Sequence, residues 1–145
     1  MYLVDTSVIS AAAASRPVPA ALVEWTEVHS AFLFLSAVTV AEIEDGIAKL
    51  RREGATRKSA DLAAWLETVL HLYGSRVLAF DAPTARVAGV IADRAWGLGR
   101  APGFADTIIA ATAQRHGLTI LSRNLRHFEP LGVVAIDPFA GLPPE

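Results

Sequence analysis

Short apolar runs alternate with longer amphipathic stretches along this chain, and that alternation restricts the fold more than any other feature. Tyr2–Val4, Phe32–Leu35, Arg76–Phe80, Thr119–Leu121 and Val133–Ile136 read as strands. Between them the spacing predicts helices. Ser7–Ala14 is a short one, ended by Arg16-Pro17-Val18-Pro19, and Ala20–Val28 is a second. Ser36 is placed to cap a helix over Ala37–Arg52, in which Val40, Ile43, Ile47 and Leu50 share a face. Lys58–Tyr73 repeats the pattern with Leu62, Leu66, Val69 and Tyr73 on one side and Gly74 as the C-terminal cap. Asp81-Ala82-Pro83 opens a helix running to about Trp96, Gly97–Gly103 is a loop, and Phe104–His116 is a helix ended by Gly117. Strands that alternate with helices build a mostly parallel sheet, here five-stranded, with helices on both faces.

At 145 residues the chain is long enough for one full core, so residues 1–145 read as a single domain. No cysteine is present, which rules out disulfides, thiolate metal sites and cysteine nucleophiles. The formal net charge of -2 does not announce a nucleic-acid binder, but an acidic nuclease site needs only local positive charge around it. Asp5 interrupts the first apolar run too early for a secretory segment. The uncharged stretch Val28–Ala41 is too short to span a bilayer. The expectation is a cytoplasmic protein with no membrane association. A hydrophobic content of 52% further suggests apolar surface that a partner covers.

The chemistry lies in carboxylates that this topology gathers. In a parallel α/β sheet, strand C-termini and helix N-termini share one edge, where such folds place their sites. Asp5 ends the first strand, Glu42 lies in the second turn of the helix after the second strand, and Asp106 opens the helix before the fourth. Asn124 follows the fourth strand, so all four residues fall at one edge. Three carboxylates about 5 Å apart repel by roughly 3 kcal/mol per pair at an effective dielectric near 20. Such a cluster either holds protons or binds a cation, and an all-oxygen set suits Mg²⁺ or Mn²⁺. A metal of that kind serves phosphodiester hydrolysis.

Each acid also fits an ordinary role. Asp5 fits a helix cap, Glu42 a solvated position like Glu44 and Asp45, and Asp106 a first-turn acid. Asp81 reads as a cap, His116 and His127 as helix-end or surface residues, and Trp25, Trp65 and Trp96 as core or interface aromatics. Gly97-Leu98-Gly99 lacks the third glycine of a dinucleotide fingerprint.

Four segments taken together, MYLVDTSVIS, FLSAVTVAEIEDGI, FADTIIAATA and LSRNLRHF, resemble the PIN-domain ribonucleases. Among these they are most similar to the VapC toxins of bacterial toxin–antitoxin pairs, in the FitB-like group. The resemblance implies a three-layer α/β/α sandwich and a homodimer. It implies a Mg²⁺- or Mn²⁺-dependent endoribonuclease held in check by a small VapB-type antitoxin. Asp5, Glu42 and Asp106 match the family's metal-coordinating acids, and Asn124 matches a fourth position that is Asp in some members and Asn in many.

Two positions depart from the family pattern. Ser7 stands where the first motif often has Asn, and its hydroxyl can still bond a ligating carboxylate or a water. His127 replaces a frequent Asp, which leaves the fourth corner without a carboxylate and weakens the case for a second tightly held metal. Arg123 and Arg126 flank the site, while Lys49, Arg51, Arg52, Arg57 and Lys58 form a basic stretch further off.

Rival folds lack their own signatures. A dehalogenase-type phosphatase needs Asp where Ser7 stands, a phosphate receiver needs a lysine near its last strands, and the last lysine here is Lys58. A nucleotide-binding turn needs glycines in place of Thr6-Ser7-Val8. The rival from a different class is a catalytically silent PIN fold that acts as a protein-binding module.

Overall fold

The computed structural model describes residues 1–13 and 17–144. Its five strands are β1 (Tyr2–Val4), β2 (Leu33–Ser36), β3 (Val77–Leu78), β4 (Thr119–Leu121) and β5 (Ala135–Ile136). They form one sheet in the order β3-β2-β1-β4-β5. Every pairing is parallel, so the expected mostly parallel sheet is parallel throughout. β1 sits at the centre, and its last residue, Val4, pairs with Leu121 of β4.

The helices are α1 (Thr6–Ala13), α2 (Ala20–Val28), α3 (Ala37–Arg52), α4 (Thr56–Tyr73), α5 (Ala82–Gly97), α6 (Phe104–His116) and the single turn α7 (Leu125–Phe128). Side chains alternate across a strand, and β1 shows the result. Tyr2 and Val4 pack with Trp25, Ile43, Ile47, Leu66 and Val69 on one face of the sheet. Leu3 packs with Ile91, Ile109, Ala110, Phe128 and Leu131 on the other. Two apolar cores separated by one sheet make the three-layer sandwich.

The helix ends follow from local chemistry. The hydroxyl of Ser36 accepts a hydrogen bond from the Val38 amide at 3.2 Å and starts α3. Asp81 accepts from the Thr84 amide at 3.0 Å and starts α5, and Arg115 closes on the same carboxylate at 3.0 Å. Gly117 ends α6 at φ 64°, a left-handed conformation that a Cβ would strain.

Several boundaries differ from the sequence reading: α1 starts at Thr6, β2 ends at Ser36, α4 starts at Thr56, and three strands start later than expected. β2 begins at Leu33, because Phe32 belongs to a 3₁₀ turn over Ser30–Phe32 and is exposed. β3 keeps only Val77–Leu78 of Arg76–Phe80. The Arg76 guanidinium bonds the carbonyls of Leu33 and Leu72 at 2.7 Å each, which turns the chain before the strand starts. β5 starts at Ala135 instead of Val133. Trp96, expected in a core or an interface, is 63% exposed. Ala14 and Arg16, placed at the end of the first helix and in the break, lie outside the described residues.

Candidate active site

The C-terminal edge of the sheet opens into a cavity of about 410 Å³. Asp5, Glu42, Asp106 and Asn124 all line it, as do Thr6, Ser7 and His127. The predicted residues therefore converge from β1, α3, α6 and the turn before α7.

Asp5 is the deepest of them and is buried. Its Oδ2 accepts hydrogen bonds from the Ser7 hydroxyl at 2.7 Å and the Ser122 hydroxyl at 2.8 Å, and lies 3.4 Å from the Ser7 amide. The Ser7 hydroxyl in turn accepts from the Arg123 amide at 3.1 Å, and Ser122 from the Asn124 amide at 3.0 Å. Serine thus does at position 7 the orienting work expected of it. This net ties the end of β1 to the turn after β4. All of it falls on one oxygen of Asp5.

Glu42 lies at the rim and accepts a hydrogen bond from the Thr6 hydroxyl. Burial raises its pKa most. Thr6 lowers it in part, and the charges of Asp5 and Asp106 raise it further. Asp106 is half-buried in the first turn of α6, where the helix dipole favours an anion by about 0.3–1 kcal/mol. Burial raises its pKa, His127 lowers it, and Asp5 raises it. The three acids therefore share one electrostatic environment, as their positions in the sequence predict.

His127 stands where the sequence reading put it and makes one contact that the reading did not include. It was expected as a helix-end or surface residue, and it lies in the single turn α7, one residue before its end. Its ring is half-exposed, yet Nδ1 stands 3.1 Å from Oδ2 of Asp106. The fourth corner, where no carboxylate was expected, holds this imidazole. Gly103 meets the same carboxylate from behind, since a Cβ there would lie 3.2 Å from Oδ2 of Asp106. Asn124 is exposed at the N-terminus of α7 and makes no side-chain cap bond to it.

Ser122 was missed as a site residue, although the register carries the signal. Val4 pairs with Leu121, which brings the next residues, Asp5 and Ser122, side by side. Arg126 and His127 line a second groove that opens off the cavity. Arg123 instead lies over the Phe139 ring at 4.8 Å. The basic stretch Lys49–Lys58 spans the last turn of α3 and the start of α4, away from the edge where α3 begins.

The oxygen-only donor set suits a hard divalent cation. Among the described residues no three His, Cys, Asp or Glu side chains are close enough together to share one ion directly. A cation bound here would touch fewer than three of these side chains directly and keep several of its waters, as Mg²⁺ does.

In chelator, the raised pKa values give a signed pH dependence. A carboxyl with a folded pKa above its unfolded one binds protons more tightly when folded. Its stabilising contribution is present below the unfolded pKa and is lost as pH rises through the folded pKa. The metal-free protein should thus lose stability as pH rises from the unfolded carboxylate pKa through the raised folded ones. Glu42→Gln should blunt that loss and raise the melting temperature more at pH 7 than at pH 4. Solvent at the rim keeps the effect small. Parallel melting curves for wild type and Glu42→Gln that keep a constant separation across pH would remove Glu42 from the cluster.

A parallel sheet in this order, with acids around the C-terminal end of its central strand, defines an α/β protein of PIN type. Residues 2–131 match the PIN domain, and the chain belongs to that family. It is 32% identical over 139 residues to Toxin FitB of Neisseria gonorrhoeae, covering 96% of this chain and 99% of that one. It is 35% identical over 141 residues to VapC ribonuclease Y4jK of Sinorhizobium fredii, covering 96% and 98% of the two chains. The crystal structure of FitAcB from Neisseria gonorrhoeae superposes with a TM-score of 0.81 at 36% identity, covering 95% of this chain and 98% of the other.

Proposed function

We propose that this protein is a metal-dependent endoribonuclease toxin of a toxin–antitoxin pair. The observation that carries the reading is the convergence of Asp5, Glu42 and Asp106 on one cavity in a PIN-family chain. Similarity to a protein named a toxin and to another named a ribonuclease supports it.

Asp5, Glu42 and Asp106 would hold Mg²⁺ or Mn²⁺, with Asn124 reaching a metal-bound water through its amide. When bound, the metal supplies a nucleophilic hydroxide near neutral pH and neutralises charge on the phosphate oxygens. Asp5 acts as the fixed point, because Ser7 and Ser122 leave its carboxylate no freedom to turn away. Burial disfavours the charged forms of Glu42 at the rim and Asp106 at the start of α6, and a bound cation would favour them. His127 steadies Asp106 by bonding one of its oxygens, which leaves the other free to face the cavity.

The partner reading rests on apolar surface. A cleft of about 350 Å³ is lined by Val8, Leu22, Trp65, Val69, Leu72 and Phe139 among others, and the exposed apolar residues include Val28 and Leu72. We assign that surface to a VapB-type antitoxin or to a second copy of this chain in a homodimer. Among the described residues no helix is long and apolar enough to cross a membrane.

Brief expression of the protein alone, followed by sequencing of 5′ ends of cellular RNA, tests the reading. New ends at a few fixed positions, absent with Asp5→Asn, are the expected result. An unchanged RNA population, with the folded protein bound to another cellular protein, would favour the silent binding module.

A further inference from the structure

We propose that Phe104 is a stacking platform for one unpaired base of the RNA strand, and that Arg100 and Arg126 carry the neighbouring phosphates. The inference rests on the nuclease reading of the acidic cavity and adds a recognition site beside it. Phe104 opens α6 and is 77% exposed, more than any other large apolar side chain among the described residues. It stands on the cavity wall, two residues before Asp106. The Phe80 ring lies perpendicular to it with centroids 6.4 Å apart, which steadies Phe104 without covering it. An uncovered ring at the rim of a phosphate-handling cavity presents a π face to whatever the phosphate is attached to.

The charges beside the cavity fit the same ligand. A groove of about 460 Å³ is lined by Arg100, Pro102, Arg126 and Pro130, and it shares Gly103, Asp106 and His127 with the cavity. Both arginines are exposed, and among the described residues neither pairs with a carboxylate. The positive charge that an acidic site needs to attract a polyanion is thus supplied next to it, although the whole chain is slightly acidic. An aromatic face together with a basic groove is the combination that holds single strands, in which bases are free to stack on protein. A base inside a duplex is already stacked on its neighbours and offers Phe104 only an edge. The platform therefore selects unpaired RNA, and the arginines add affinity without sequence information.

The test uses a fluorescein-labelled single-stranded RNA of about ten nucleotides, within the range one such site covers. The same sequence annealed as a duplex is the comparison. Binding is followed by anisotropy in the Asp5→Asn background, and kcat and KM for the single strand are measured in the parent protein. Phe104→Ala should weaken single-strand binding by about tenfold, the size of one base–aromatic stack. It should raise KM more than it lowers kcat and leave the weak duplex binding unchanged. Phe104→Trp should restore or strengthen binding. Arg126→Ala should weaken binding and flatten its salt dependence by about one phosphate contact. Phe32→Ala removes an exposed ring at the opposite edge of the sheet and should bind as the parent does. A parent that cleaves RNA while Phe104→Ala binds and cleaves equally well overturns the platform and leaves the nuclease standing. Loss of a dimer in Phe104→Ala by light scattering, with RNA binding intact, overturns it in favour of a protein interface. A parent that neither binds nor cleaves RNA overturns both readings.

Discussion

Asp5→Asn is expected to lower RNA cleavage by at least about 100-fold, as removal of a group that acts in the transition state does. The chelated protein should stay as stable as wild type or become more so. Both halves follow from the arrangement around the carboxylate. The hydrogen bonds from Ser7 and Ser122 land on Oδ2, so an asparagine oxygen in that place keeps them. Its NH₂ group then replaces Oδ1. What is lost is the charge, and with it one source of repulsion on Glu42 and Asp106 and, in the proposed reading, one carboxylate for the cation. Cleavage assays in excess Mg²⁺ and Mn²⁺, paired with melting curves in chelator, separate these effects. Wild-type cleavage by Asp5→Asn would remove Asp5 from the site. A large drop in melting temperature in chelator would mean that Asp5 serves the fold first.

Phe128→Ala should have the largest effect on stability, because this ring ties the site to the core. Phe128 is fully buried and packs in the same cluster as Leu3, Ile109, Ile120 and Leu131. Truncating a buried phenylalanine costs about 3–5 kcal/mol, a large share of the 5–15 kcal/mol that holds a typical domain together. Urea unfolding should show the loss as a lower midpoint at unchanged slope. Activity should fall further than the unfolded fraction explains, because α7 also carries His127 and begins after Asn124. Leu125→Ala, on the exposed side of the same turn, should stay within about 0.5 kcal/mol of wild type. Equal midpoints for Phe128→Ala and Leu125→Ala would show that α7 is not anchored by this ring.

What could be read in advance depended on how far the controlling physics was local. α3 carries its own N-cap and an apolar face, and α6 is set between two glycines, so Ala37–Arg52 and Phe104–His116 were legible to the residue. The short strands were legible as apolar runs but not in their ends. Arg76 shows why: its role is set by the carbonyls of Leu33 and Leu72, which only the folded chain brings to it. α7 went unread because four residues give no helical period to detect. The acids were legible because topology alone sends them to one edge. Ser122 and His127 were not, because their roles depend on the pairing of β1 with β4 and on the direction of one imidazole.

The central place of β1 has a consequence for synthesis. Asp5 is made well over a hundred residues before its lasting neighbours. Ser122 bonds it, and the Asp5 amide donates to the Leu121 carbonyl at 2.9 Å. Until the chain has grown past these residues, the N-terminal strand has a partner in β2 on one side only. Asp106 lacks His127 over the same interval. A chain broken off before β4 cannot assemble the acidic centre, however well its first half collapses. Interrupted translation of this protein therefore leaves fragments that cannot cut the cell's own RNA. The acidic centre exists only once β4 and α7 have been made.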